Sequence, residues 1–531
     1  MTRARPPVLL FVAALLVGAV VVERTTDPDP AAGPDTGLVD ARRAAPVASP
    51  SDALGSTWYC AAGSAGDPDS WPVDEEDEAQ DAPAEDEAAA AEDDEEAEED
   101  LGPVVAEHTL VLTNPGDAPR HVSVTIHAGT ADPVTTDLTL DAGSVEHLEL
   151  ADHTQGPAVA ALVEADGGDV VASHVLRGAD GVDAGPCASV SSDEWHFAWG
   201  DTSRDAREVI ALFNPFPGEA VVDLVFVTPD GVREPGDLTG LVVPGRSVVL
   251  ADVRASVERR DQVAASVIAR SGRIVAERVQ TFDGSGAEVG PEGETVERTG
   301  LTVDLGTPSP HEVTVHQYGR LESGVRQRLV VFNPGDAPAE VDVEVTPYGD
   351  TLGGVEPFEL TVRPRQYQVV DLDREPRLAE VFVEGAGEHT VLVRSLNGVG
   401  VASDLVTFVD GVTSDGGAPL ASTELVLPGP AGAEARTTRL RVLNLSADEA
   451  AEVVVERLVD GDRRVIEERV LEPAEQASFA VAGLDDPAAL VVRATGPVLA
   501  DLAIRWEEPR DLTVVTAVPA LDRSTLIPAL G

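Results

Sequence analysis

The run Leu329–Thr346, LVVFNPGDAPAEVDVEVT, begins apolar, passes through a turn and ends in strict alternation. Val341, Val343 and Val345 fall on one side, and Glu340, Asp342 and Glu344 on the other. A period of two marks a strand with one buried face, and two such runs flanking a short turn predict a β-hairpin. The phrase returns as LVLTNPGDAPRHVSVTI (Leu110–Ile126), IALFNPFPGEAVVDLVF (Ile210–Phe226) and RVLNLSADEAAEVVVERL (Arg441–Leu458). Four copies predict four similar β-domains.

In Asn333-Pro334-Gly335-Asp336 the proline keeps the asparagine out of the helical region and fixes its own φ at about −65°. That predicts a type II turn with Gly335 at positive φ, and an asparagine side chain bonded to backbone further along. The fourth copy reads Asn444-Leu445-Ser446, without Pro or Gly, so its turn must differ.

Other landmarks recur in step. Each copy opens with a short strand ending at Gly63, Gly200, Gly319 or Gly429 and closes with a strand reaching Pro186, Pro308, Pro419 or Pro519. Gly167-Gly168, Ser271-Gly272, Asn397-Gly398 and Thr495-Gly496 predict a second hairpin in each copy. The result is seven or eight short strands per copy, the pattern of an antiparallel sandwich. The predicted architecture is therefore all-β, with four tandem immunoglobulin-like β-sandwiches after an N-terminal hydrophobic export or anchor helix. The divisions are 1–24 for the export segment, 25–50 for a disordered tether, and 51–187, 188–309, 310–420 and 421–531 for the sandwiches.

The export segment rests on Arg3 and Arg5 ahead of the uncharged run Val8–Val22. An uncleaved anchor and a cleaved signal peptide both fit, and both send the remainder of the chain outward. The membrane would be touched through this segment only. Fourteen residues separate Gly200 from Asn214 and Gly319 from Asn333, but 51 separate Gly63 from Asn114. The excess, about 67–103, holds an acidic run, Asp74–Asp100, with 17 carboxylates and no basic residue. It reads as a disordered insertion in one loop, either merely solvated or binding cations or a basic partner.

The formal net charge is −58, and every one of the 37 basic residues is arginine. So acidic a chain excludes nucleic acid and anionic membrane surfaces as partners. A lysine-poor composition and adaptation to high salt explain the charge equally well. The two cysteines, Cys60 and Cys187, predict one disulfide joining the ends of the first sandwich.

Candidate chemistry is sparse. Six of the ten histidines lie in the first copy: His108, His121, His127, His147, His153 and His174. If the strands bearing His121 and His127 and that bearing His147 are neighbours, a metal or pH-sensitive patch forms; otherwise these are scattered surface residues. Trp58 and Trp195 occupy equivalent positions, and with Trp199 and Trp506 they are either core residues or sugar platforms. No catalytic, phosphate-binding or dinucleotide motif occurs, and no cofactor or metal is implied. The leading function is a non-enzymatic envelope protein, a spacer and interaction scaffold; across the readings the partners expected are envelope proteins or wall polysaccharide. A carbohydrate- or surface-binding adhesin is the alternative, and a hydrolase among the many carboxylates a third class.

The opening Ser56-Thr57-Trp58-Tyr59-Cys60, the later Gly185-Pro186-Cys187-Ala188 and the chain plan resemble an actinobacterial family of secreted or membrane-anchored proteins, domain of unknown function 5719. The resemblance implies an envelope protein and supplies no catalytic residues.

Overall fold

The first eight strands show the rule for the rest. They are β1 (Gly55–Cys60), β2 (Glu107–Thr113), β3 (Arg120–Ala128), β4 (Val134–Leu140), β5 (Val145–Glu149), β6 (Val159–Asp166), β7 (Val171–Arg177) and β8 (Val182–Pro186). They form two antiparallel sheets, in the orders β1-β6-β3-β4 and β5-β2-β7-β8. Alternation sets the core: in β3, Val122, Val124 and Ile126 are buried between the sheets while His121 is exposed. The order departs from the constant-type immunoglobulin sandwich, where the first strand lies beside the second. Here β1 lies beside β6.

This computed structural model describes residues 41–68, 71, 106–290, 293–348, 355–381, 387–429, 435–459, 461–482, 484 and 488–528. The apolar run Val8–Val22 and the acidic run Asp74–Asp100 lie outside the described residues. Among the described residues, strands take 62 % and helices 6 %. Among the described residues no helix is long and apolar enough to cross a membrane. The same strand order recurs in a second set from Glu194 to Leu305 and a third from Val313 to Asp415. In the fourth set one strand, Ala488–Trp506, does the work of two. Its first half pairs with Leu420–Pro428 and Ala451–Val459, its second with Ala435–Asn444 and Leu512–Thr516. Thr495-Gly496 therefore sits inside a strand rather than at a turn.

The predicted hairpins are not hairpins. The strands on either side of Asn333, Arg326–Asn333 and Ala339–Pro347, pair with other strands and never with each other. The same holds for β6 and β7 around Gly167-Gly168. Each turn is a corner that carries the chain from one sheet to the other. Alternation reports one buried face per strand, and both sheets of a sandwich satisfy it. Gly335 is also not at positive φ. A Cβ there would sit 3.2 Å from Asn333 Oδ1, so glycine admits the asparagine side chain.

Asn333 is the reason the corner holds. Its Oδ1 accepts the Gly335 N–H at 3.0 Å, and its Nδ2 donates to the Ala337 and Val362 carbonyls at 2.7 and 2.9 Å. Asn114, Asn214 and Asn444 make the same set. Ser446 N–H replaces that of glycine in the fourth copy, which explains why that turn survives without Pro or Gly. All four asparagines are buried.

The end of the expected tether is packed, not loose. Ala41, Ala44 and Val47 bury against Leu420 and Leu521. Ala48 exchanges backbone hydrogen bonds with Pro519 and Leu521, and Asp169 donates to the Ser49 carbonyl. The apolar residues at 41, 44, 47 and 48 give this strap a face to bury despite its loop-like composition.

Candidate functional site

The four last strands, β8, Thr295–Leu305, Gly411–Asp415 and Leu512–Thr516, each pack against two of the others. They close a ring at the centre of the four sandwiches. Equivalent positions on the four, just ahead of the first and last and within the other two, are 181, 300, 411 and 511. Three are glycine and the fourth is Asp511. The Asp511 carboxylate fills the space the glycines leave: a Cβ on Gly181, Gly300 or Gly411 would lie 2.1, 2.6 or 2.3 Å from its oxygens.

Asp511 ties the four sandwiches at one point. Oδ2 accepts the N–H of Val182 at 3.0 Å and of Leu301 at 2.9 Å; Oδ1 accepts those of Val412 at 3.0 Å and Leu512 at 2.8 Å. Burial pushes its pKa up, and the four amides oppose the shift. Each oxygen faces N–H groups, so no acceptor is left for a proton and the carboxylate is the form that fits.

Further buried polar groups link neighbouring sandwiches. Glu277 Oε2 accepts Ala61 and Ala62 N–H at 2.9 and 2.7 Å and lies 3.7 Å from His174 Nε2. Burial raises the Glu277 pKa to about 8. His174 is held well below the usual histidine range by burial, then by His108, whose Nε2 is 3.1 Å from His174 Nδ1. Arg278 donates to Asp304 Oδ2 at 2.6 Å and to Ser414 Oγ at 3.1 Å, and lies over the Trp199 ring at 5.0 Å. Asp404 Oδ2 accepts the Trp199 backbone N–H at 2.8 Å. Arg441 donates to Asp501 at 2.6 Å while its guanidinium covers Tyr318 at 4.3 Å.

At the far end of the last strands, these strands and the strap Ala44–Pro46 line a partly open cavity of about 140 Å³. Asp183, Asp304, Ser414, Asp415 and Thr516, with His174 and His311, are among its polar lining.

The disulfide between Cys60 and Cys187 is present and both cysteines are buried. It joins β1 to the residue after β8, beside the reciprocal hydrogen bonds of Tyr59 and Ala188. The histidine patch does not form. His121 and His127 are on β3 and His147 on β5, which belong to different sheets. His127 is buried, its Nδ1 2.9 Å from the Arg246 carbonyl. His153 lies beyond β5, and His108 and His174 are interior. Among the described residues no group of three or more His, Cys, Asp or Glu is placed to hold a metal. Trp58 and Trp195 are buried and equivalent, donating to the Val170 and Ile274 carbonyls at 2.9 and 3.0 Å. Trp199 and Trp506 are buried too, so none of the four is a surface platform.

Sequence reasoning missed Asp511, Glu277 and Arg278. A signal was there: Gly-Val-Asp, Gly-Leu-Thr, Gly-Val-Thr and Asp-Leu-Thr recur at equivalent places along the four last strands.

Residues 174–296 match the family of unknown function DUF5719. The match starts in β7 of the first sandwich and runs into the last strand of the second. No curated protein matches the chain. Among solved structures, an α-L-rhamnosidase from Streptomyces avermitilis complexed with L-rhamnose is similar at 10 % identity and TM-score 0.12, covering 62 % of this chain. The chain spans 44 % of that enzyme's length. A tetra-tandem repeat from the extending region of a large adhesion protein is similar at 12 % identity and TM-score 0.10, covering 80 % of this chain and 95 % of the repeat. At these TM-scores neither likeness carries an argument.

Proposed function

We propose that the chain is a non-enzymatic scaffold on the outer side of a cell membrane, presenting protein-binding surfaces from a rigid body. The observation that carries this reading is the convergence of four sandwiches on Asp511. Four interior charged groups, Glu277, Arg278, Asp404 and Arg441, bond adjacent sandwiches together or pack across their interfaces. A ring of this kind is a platform rather than an extended spacer. The disulfide suits an oxidising compartment. Arg3, Arg5 and the run Val8–Val22 suit export.

The test is a pull-down from chemically crosslinked envelopes with the tagged full-length chain. Specific protein partners are expected. Retention of polysaccharide alone would overturn the scaffold reading in favour of an adhesin. Turnover of an envelope substrate, lost when one carboxylate is replaced, would overturn the non-enzymatic reading.

A further inference from the structure

The axial cavity is built from all four sandwiches, and junctions between domains are favoured places for ligand sites. Its volume of about 140 Å³ is close to that of a cavity that accommodates a six-carbon ring (about 150 Å³). One part of the wall is apolar, from Ala184, Val303, Leu305 and Val514. The polar part carries three carboxyl groups and two histidines, His174 and His311, both held below the usual histidine range by burial; no arginine is among the lining residues.

The three carboxyl groups are not alike. Asp304 is engaged by Arg278 and Thr302. Asp415 accepts from Gly417 N–H and Thr516 Oγ1 and sits 3.5 Å from His316. Asp183 gives Oδ2 to the Val303 N–H at 2.8 Å, but its Oδ1, in a residue only 3 % exposed, has no hydrogen-bond partner. A buried acceptor left bare costs free energy that a donor from a ligand would recover.

We propose that this cavity binds a small primary alkylammonium ion, its ammonium on Asp183 Oδ1 and its alkyl chain along the apolar wall. Asp183, which no arginine pairs, selects the cationic head; burial, then Asp304, pushes its pKa well up, and a cation at Oδ1 favours its charged form. Ser414 and Thr516 hydroxyls supply further acceptors for its remaining N–H groups. The apolar wall selects a short hydrocarbon tail over a hydrated metal ion. This site goes beyond the scaffold reading and does not depend on it.

The experiment is calorimetric titration of the full-length chain with pentylammonium chloride, with 1-pentanol as the neutral match in size. Pentylammonium should bind at one site, at least tenfold tighter than the alcohol. Asp183→Asn keeps an acceptor for the Val303 amide and should reduce ammonium affinity at least tenfold. Ala184→Leu, which fills the cavity from its apolar side, should abolish binding; circular dichroism checks that each variant is folded. Equal binding of the alcohol, no binding of either probe, or ammonium binding unchanged in whichever variant folds would each overturn the proposal.

Discussion

Asp511 Oδ2 accepts the backbone N–H of Val182 at 3.0 Å across 329 positions of sequence, closing the fourth sandwich onto the first. The same carboxylate holds the second and third, so one side chain sits where four structural repeats meet. Removing it strands four amides in the interior. Each orphaned group costs about 1–3 kcal/mol, so Asp511→Ala should destabilise the chain by more than about 3 kcal/mol. Asp511→Asn should also fall well short of the parent, because its NH₂ would face two N–H groups. Urea unfolding measures both; an alanine variant within about 0.5 kcal/mol of the parent would refute this role.

Gly411 tests the same point from the other side. A Cβ there would sit 2.3 Å from Asp511 Oδ1, and its φ of 129° disfavours an L side chain. Gly411→Ala should lower the melting temperature, whereas Gly218→Ala, with open space around it, should leave it nearly unchanged. Equal effects would mean that crowding at the centre is not what selects glycine.

The corner asparagines predict a second class of effect. Asn444→Ala removes one acceptor and the donor that serves the Glu449, Leu471 and Glu472 carbonyls. The loss should be about 2 kcal/mol or more. Asn444→Asp keeps the acceptor for Ser446 N–H but loses the donor, and should lose nearly as much. Thermal unfolding of the two variants decides whether the NH₂ half matters, and a parent-like aspartate variant would show that it does not.

Stability should fall as pH rises from about 6.5 to 8.5. Burial raises Glu208 and Glu277 to about 8. Unfolded glutamate titrates near 4.3, so between these values the folded state holds protons that the unfolded state has lost. Stability then declines with rising pH. Buried His108 and His389 are lowered to about 4 and act in the opposite sense between that value and about 6.5. The two effects oppose each other in acid, and only the carboxyl groups act above 6.5. Melting temperatures in matched buffers check the sign; a rise towards pH 8.5 would contradict it.

The strands were legible because alternation is local: Val341, Val343 and Val345 are buried as the sequence predicts. The pairing was not, because the turn at Asn333 looks alike whether the chain folds back beside itself or crosses to the facing sheet. The interfaces were hidden for another reason. Asp183, Thr302 and Thr413 alternate with apolar residues as solvent-facing positions would, yet each is buried by another sandwich. Periodicity identifies two faces and cannot say what covers the second. Trp58 and Trp195 were readable as core because large aromatics rarely lie free in so aromatic-poor a chain.

The disulfide closes a loop of 127 residues, for which the chain-entropy model gives roughly 4–5 kcal/mol. Replacing Cys60 and Cys187 together by serine should lower the unfolding midpoint. Thiol labelling of the denatured, unreduced parent should find no free cysteine, and two labelled thiols in exported material would refute the bond in the cell.

The acidic run offers the last test. Its flanks are held together without it: Ser64 N–H donates to the Ala106 carbonyl, His108 N–H to the Ser64 carbonyl, and Ala106 N–H to Ser64 Oγ. Trp71 adds a bond from its indole N–H to the Ala65 carbonyl at 2.8 Å. A loop whose ends are already fixed gains little from its length, about 0.6 kcal/mol per doubling. Carboxylates this dense repel one another, and salt screens them over about 8 Å at physiological strength. Deleting Asp74–Asp100 should therefore leave the fold and the Cys60–Cys187 bond intact. Stability should be equal or slightly higher at low salt, with the difference shrinking as salt is added. Thermal unfolding of the full-length and deleted chains across a salt series measures this, and a large loss on deletion would mean that the run packs against the sandwich.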